Sequence, residues 1–311
     1  MKNLRNILLF TSILLFLPSI SSYANAANSY RSSDLNTITE KSFNISPGKN
    51  LYLKTDAGSV NIVTWDKSEV YVKILGNDKA KDKMTFDFDN NDNEVKIIGK
   101  KKHSSFFGLF SFSGVNVKYE ISVPKSFNLK VSTAGGNISV ADLQGENKLN
   151  TSGGNIHLSD INGNIHASTS GGNIKLNNTT GTTDVSTSGG NIDAQSFNGD
   201  FKGITSGGNI NLKGSNSKII AETSGGSVYG EYTGKNKGIK LETSGGEVTL
   251  KVQKDISADV NLSTSGGSVN CDLTMSDIHK SSHSSLRGKV NGGGNEIRLE
   301  SSGGDVSLEA L

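Results

Sequence analysis

The chain of 311 residues is 33% hydrophobic and 6% aromatic with 37 glycines, too few apolar side chains for the large core of an α/β enzyme. Its 32 basic and 30 acidic residues leave a net charge of +2, which excludes the one-signed field that draws in nucleic acid. A single cysteine excludes an internal disulfide and a cysteine-cluster metal site.

At the N-terminus, Lys2 and Arg5 precede an apolar run from Ile7 to Leu17, then Pro18 and the small-residue sequence Ala24-Asn25-Ala26. This is the pattern of a secretory signal peptide over residues 1–26, cut after Ala26. The run is shorter than the roughly 20 residues that a membrane-spanning helix needs, and no cysteine adjoins the cut to accept a lipid. The expected destinations are the periplasm, the cell surface or the medium. Residues 27–42 read as a flexible segment ahead of the folded part.

Residues 43–131 carry alternating apolar and polar runs, at Asn50 to Lys54, Ser59 to Trp65, Glu69 to Leu75, Glu94 to Ile98 and Val115 to Val123. Turns rich in Asp, Asn, Gly and Lys separate them, so this part reads as β-rich and more loosely wound than the C-terminal repeats. Thr55-Asp56-Ala57-Gly58-Ser59-Val60-Asn61-Ile62 is a degenerate version of those repeats, which places a start of the solenoid there. No segment after the leader has helical periodicity. Within this part, Phe106, Phe107, Leu109, Phe110 and Phe112 follow Lys100-Lys101-Lys102. Two roles fit such a segment: rings that plug the end of a rod, or a contact loop for a lipid surface or a partner.

From residue 132 to 311 a repeat takes over. Gly-Gly begins at Gly135, Gly153, Gly171, Gly189, Gly207 and Gly225, each 18 residues after the last, and again at Gly245, Gly266 and Gly303. Three positions on stand Ile138, Ile156, Ile174, Ile192 and Ile210, then Val228, Val248, Val269 and Val306. Five positions on, the column runs from Val140 and Leu158 through Ala194 and Gly230 to Cys271 and Leu308, with polar residues such as His157 and Lys175 between the two columns. That alternation is a half-buried strand. A second strand lies half a coil later, as in Ile165 with Ala167, after another glycine at Gly145, Gly163, Gly181 and Gly199. The expected fold is all-β: a single-stranded parallel β-solenoid, or β-helix, of about 18-residue coils behind the looser β-rich N-terminal cap. Glycine at the corners supplies positive φ, and adjacent coils about 4.8 Å apart give nine coils a length on the order of 40 Å. Asn137 to Asn209 and Thr151 to Thr264 form further columns expected to satisfy one another as stacked ladders. Residues 275–289 break the period and read as a polar loop extruded from the rod before the last coil.

With Tyr119-Glu120-Ile121-Ser122-Val123-Pro124-Lys125 leading into Leu129-Lys130-Val131-Ser132-Thr133-Ala134-Gly135-Gly136-Asn137-Ile138, the chain resembles the bacterial putative-adhesin family of β-strand repeat proteins. The resemblance covers about residues 40 to 311 and implies an exported β-helical protein with no catalytic residues to carry over.

A few local features bear on chemistry. Asp142 and Asp160 share a column one coil apart, the nearest approach to the paired carboxylates of a glycosidase, but the column continues as Asn178, Ser196 and Gly214, which suits a solvated turn. Repetitive calcium binding needs a regular aspartate after Gly-x-Gly, and here Asn-Ile follows Gly-Gly. His157 and His166, half a coil apart, fall on opposite faces; His279 and His283 share the interrupting segment without a further ligand; Cys271 sits in the inward ladder. The expectation is no enzyme, no cofactor and no metal. The leading reading is an adhesin-like or scaffolding protein of the cell envelope whose partners are carbohydrate or protein at a surface, with peripheral membrane contact as a further option. A polysaccharide-active enzyme and an envelope-stress or signalling accessory stay open as alternatives.

Overall fold

The computed structural model describes residues 35–102 and 114–311, which fall in one compact unit, Leu35–Leu311. The segment expected to be a leader, residues 1–26, and the phenylalanine-rich segment lie outside the described residues.

Two long sheets, of 13 and 14 strands, make up the described fold. One turn shows how the sequence builds both. Ile138–Gln144 lies in the 13-stranded sheet, the chain turns at Gly145, and Asn147–Thr151 lies in the 14-stranded sheet. The Thr-Ser-Gly-Gly corner then returns it to the first sheet as Ile156–Asn162, parallel to and in register with the strand it left. Each regular turn therefore adds one strand to each sheet. Single turns cannot bury their own apolar residues, so the stacking supplies the core. Ile138, Ile156, Ile174, Ile192 and Ile210 are fully buried in the first sheet, and Ile165, Phe201 and Leu241 stand among those facing them from the second.

The strands of the first sheet hold a third inward column that simple alternation misses. After Leu158 a strict period of two would send Ile161 outward, yet Leu143, Ile161 and Phe197 are buried. Asp142, Asp160, Asn178 and Ser196 lie in the left-handed region, with φ between 53° and 58°, and each is skipped in the pairing. One such bulged residue advances the phase by one position. Asp, Asn and Ser are the residue types that enter this region at least cost, which explains the column's composition.

The glycines divide into two kinds. Gly145, Gly163, Gly181 and Gly199 have positive φ as expected. The Gly-Gly pairs from Gly135 to Gly267 do not. Their second glycine is required for a different reason: a methyl group at Gly154 would overlap the carbonyl oxygen of Gly136 in the turn below, and Gly172, Gly190 and Gly208 repeat that approach.

The polar ladders also work differently from stacked side chains. The Thr169 hydroxyl donates to the Gly154 carbonyl of the preceding turn at 2.8 Å and accepts from the Gly172 amide of its own turn at 3.3 Å. Thr151, Thr187, Thr205 and Thr223 do the same. The Asn137 side-chain oxygen accepts from the Asn155 backbone amide at 2.8 Å, and Asn155, Asn173, Asn191 and Asn209 continue the series. Each ladder thus ties side chain to backbone between turns, which satisfies amides that the corner leaves without a sheet partner.

Both ends depart from sequential stacking. The last turn, Glu296–Ser301 and Val306–Ala310, is inserted between the turn at Ile239–Thr243 and Val248–Val252 and the turn at Ala258–Thr264 and Val269–Cys271. At the other end the first turn, Asn50–Thr55 and Ser59–Trp65, lies inside the turn formed by Glu94–Lys101 and Val117–Pro124. The degenerate repeat at Thr55–Ile62 is therefore a genuine turn of the solenoid.

Antiparallel strands close the outermost turns. Glu69–Gly76 and Asn36–Asn44 extend the first sheet, and Met84–Asn91 extends the second, so the segment expected to be flexible over residues 27–42 is, from Asn36 on, an edge strand held by pairing with Glu69–Gly76. Asn77 caps a six-residue helix, Asp78–Lys83, its side chain accepting from the Ala80 amide at 3.0 Å. Periodicity does not announce this helix, which is too short for it; its signal is an Asn cap followed by Asp in the first turn. At the far end Met275–Ser282 and Ser285–Val290 form a hairpin paired antiparallel to Ala258–Thr264. The segment expected to be an extruded polar loop is thus a sheet extension that covers an open edge.

Candidate functional site

The phenylalanine segment expected to plug or to bind (Phe106, Phe107, Leu109, Phe110 and Phe112) lies outside the described residues. Its flanks are Glu94–Lys101 and Val117–Pro124, the two strands of the outermost N-terminal turn.

Asp142 and Asp160 are neighbours, as the sequence suggests, but their position is explained by the backbone. The Thr64 hydroxyl donates to the Asp142 carbonyl at 2.9 Å and its carboxylate at 3.1 Å, and the Asn178 amide donates to Asp160 at 2.6 Å. The carboxylates are thus bound into a ladder along the bulge. Gly214 is not the next member: it pairs with Phe197, because that strand omits the bulged residue. His157 lies on the first sheet and His166 on the second. Cys271 is half-buried in the short edge strand Val269–Cys271, where burial pushes its thiol pKa up and away from the reactive thiolate form. Among the described residues no three His, Cys, Asp or Glu side chains gather to hold a metal, and no helix is long and apolar enough to cross a membrane.

What the fold does gather is two outward faces ruled into rows one strand apart. On the first sheet the rows mix signs: Lys213 pairs with Glu231 at 3.0 Å and Lys251 with Glu309 at 3.1 Å. These contacts hold the Glu231 carboxyl below its ordinary range, Lys213 foremost, and raise Lys251 through Glu309. On the second sheet the row that contains His166 runs Lys96, Tyr52, Lys130, Lys148, His166, Asp184 and Lys202 across successive strands. It continues through Ile220, Lys240 and Arg298. Toward the C-terminal end the basic groups are neutralised: Lys240 meets Glu222 and Glu242, each at 2.7 Å, and Arg298 meets Glu300 at 2.8 Å. Toward the N-terminal end they are not, since none of the described ion pairs includes Lys96, Lys130 or Lys148. Whole-chain charge misses this because the sum hides how strand alternation sorts the lysines onto one face.

Over the described residues the protein is a two-faced β-solenoid, with apolar columns inside and polar rows outside. The chain belongs to the Toastrack DUF4097 family, whose model matches residues 49–309. Among solved structures it is similar to a putative cell adhesion protein from Clostridium sporogenes, at 12% identity over 89% of this chain and 100% of that one, with a TM-score of 0.23. It is also similar to a putative adhesin from Bacteroides fragilis, at 12% identity over 88% and 96% of the two chains, with a TM-score of 0.33. The comparison with curated proteins finds no match.

Proposed function

We propose that this chain is an exported, non-enzymatic, adhesin-like or scaffolding protein of the bacterial cell envelope. The observation that carries this reading is the division of labour in the fold: the repeated residues are consumed by inward packing and inter-turn hydrogen bonds, leaving long polar faces to meet a partner. Export rests on Lys2, Arg5, the apolar run and Ala24-Asn25-Ala26 in the sequence. A non-catalytic role is supported by the bulge ladder, which gives Asp142 and Asp160 a backbone reason to be adjacent. Carbohydrate or protein at a surface is the expected partner class.

The test combines fractionation with binding. The reading predicts that the protein is found outside the cytoplasm and that the purified chain binds isolated cell envelopes saturably without releasing soluble sugar. Turnover on a polysaccharide panel that Asp142→Ala or Asp160→Ala abolishes would overturn it in favour of an enzyme.

A further inference from the structure

The lysine row of the second sheet points to a particular partner, and the inference rests on the surface-binding reading above. We infer that the N-terminal half of this face, centred on Lys130 and Lys148, binds an extended anionic polysaccharide lying across the strands.

Four observations lead there. First, Lys96, Lys130, Lys148 and His166 are exposed and stand in one row, interrupted only by Tyr52. Lys130, Lys148 and His166 stand on successive strands about 4.8 Å apart, close to the advance of one sugar unit in an extended glycan, and Lys96 stands two spacings from Lys130 across Tyr52. Second, two of the ammonium groups are held in place without an ion pair: the Tyr52 ring has Lys130 Nζ at 5.2 Å and Lys96 Nζ at 5.8 Å from its centroid. A cation–π contact orders a lysine while leaving its charge available to an anion. Third, the adjacent outward row is Lys54, Ser132, Asn150 and Ser168, so hydroxyl and amide groups run parallel to the cations. Sugar hydroxyls can bond there while acid groups meet the lysines. Fourth, along the starts of these strands lies an open groove of about 250 Å³ that Lys130, Lys148 and His166 line together with Glu94 and Glu146.

The two glutamates, with Asp89 beside Lys96, decide the class of anion. They repel a polymer with charge on every side, such as polyphosphate or nucleic acid, and tolerate one whose carboxylates or sulfates are spaced along a hydroxyl-rich chain. A lipid surface fits less well, because the outward apolar side chains of this stretch, Tyr52 and Ile98, are both half-buried and leave little to insert between headgroups.

Polygalacturonate serves as the probe, with its methyl-esterified form as the same backbone without charge and phosphatidylglycerol vesicles as the lipid control. The proposal predicts calorimetric binding to polygalacturonate at low ionic strength, with none to the ester. Lys130→Gln with Lys148→Gln should weaken it by about tenfold or more, and raising the salt should abolish it, as expected for an exposed charge contact. Lys175→Gln with Lys213→Gln removes the same charge from the opposite sheet and should leave binding intact. Unchanged melting temperatures separate lost contacts from lost folding; if the first pair fails to fold, Lys148→Gln alone should show a smaller loss in the same direction. Binding that survives both second-sheet substitutions, that is equal on the ester, or that occurs only on vesicles overturns the proposal. Should the chain bind cell envelopes but not polygalacturonate, this inference falls while the surface-binding reading stands; if it binds no envelope, the broader reading falls too.

Discussion

At Gly153 nothing lies within 4 Å of where a methyl group would project, whereas one position later a methyl would strike the Gly136 carbonyl of the turn below. The two glycines of one motif therefore answer to different constraints. Gly154→Ala should cost about 3 kcal/mol or more, because stacked backbones cannot both keep their pairing and make room. Gly153→Ala should lie within about 1 kcal/mol of the parent. Urea melts of the two variants check this, and equal losses would show that the close approach is not what selects the second glycine. Asp305 gives a residue-scale pH effect. Its carboxylate accepts from the Ser268 amide at 2.7 Å and the Ser268 hydroxyl at 3.0 Å, and these bonds lower its pKa from the ordinary 3.8. A depressed carboxylate stabilises the fold fully above 3.8, and the contribution is lost as pH falls through the lower folded value. Asparagine does the same accepting in Asn155 and Asn173 without titrating. Protection of the Ser268 amide, judged from its exchange rate relative to the intrinsic rate at the same pH, should therefore fall on acidification below about pH 4 in the parent and much less in Asp305→Asn; identical protection profiles would count against the assignment.

Elements rather than residues explain where the sequence is legible. Inward columns that obey a period of two, such as Ile138 to Ile210, can be read directly because spacing alone determines which face they take. The Leu143–Ile161–Phe197 column cannot, because a left-handed residue shifts the phase and only the recurrence of Asp, Asn and Ser before it announces the shift. The hairpin from Met275 reads wrongly as solvated loop because of its many serines, with Lys280 and His283, while an edge strand is polar for its own reason: it must not recruit another chain. The lysine row is hidden because it is a property of pairing between strands, and Tyr52 and Lys96 become neighbours only through the inserted first turn. Insertion also carries an energetic consequence at the other end. The last turn supplies both neighbours' hydrogen-bonding partners, so removing residues 291–311 exposes four strand edges at once, two in each sheet. Limited proteolysis of the truncated chain should cut readily between 254 and 290 while the turns from Ile138 to Thr223 stay protected. Continued resistance of that C-terminal stretch would mean that its turn stacks without the inserted one.

Across the whole molecule, the order in which turns stack decides which side chains share a face, and so which rows a partner can meet. Parallel neighbours are about 4.8 Å apart, whereas strands separated by one intervening strand are near 10 Å, beyond the roughly 7 Å limit for a disulfide. Ser263 and Glu300 are paired neighbours, with the Ser263 hydroxyl donating to the carboxylate at 3.2 Å; Glu242 lies on the far side of Glu300. In a Cys271→Ser background, oxidation should close a disulfide in Ser263→Cys with Glu300→Cys and leave Ser263→Cys with Glu242→Cys reduced. The opposite result, a bridge between positions 242 and 263 only, would mean that turns stack in simple sequence order and would contradict the arrangement on which the faces depend.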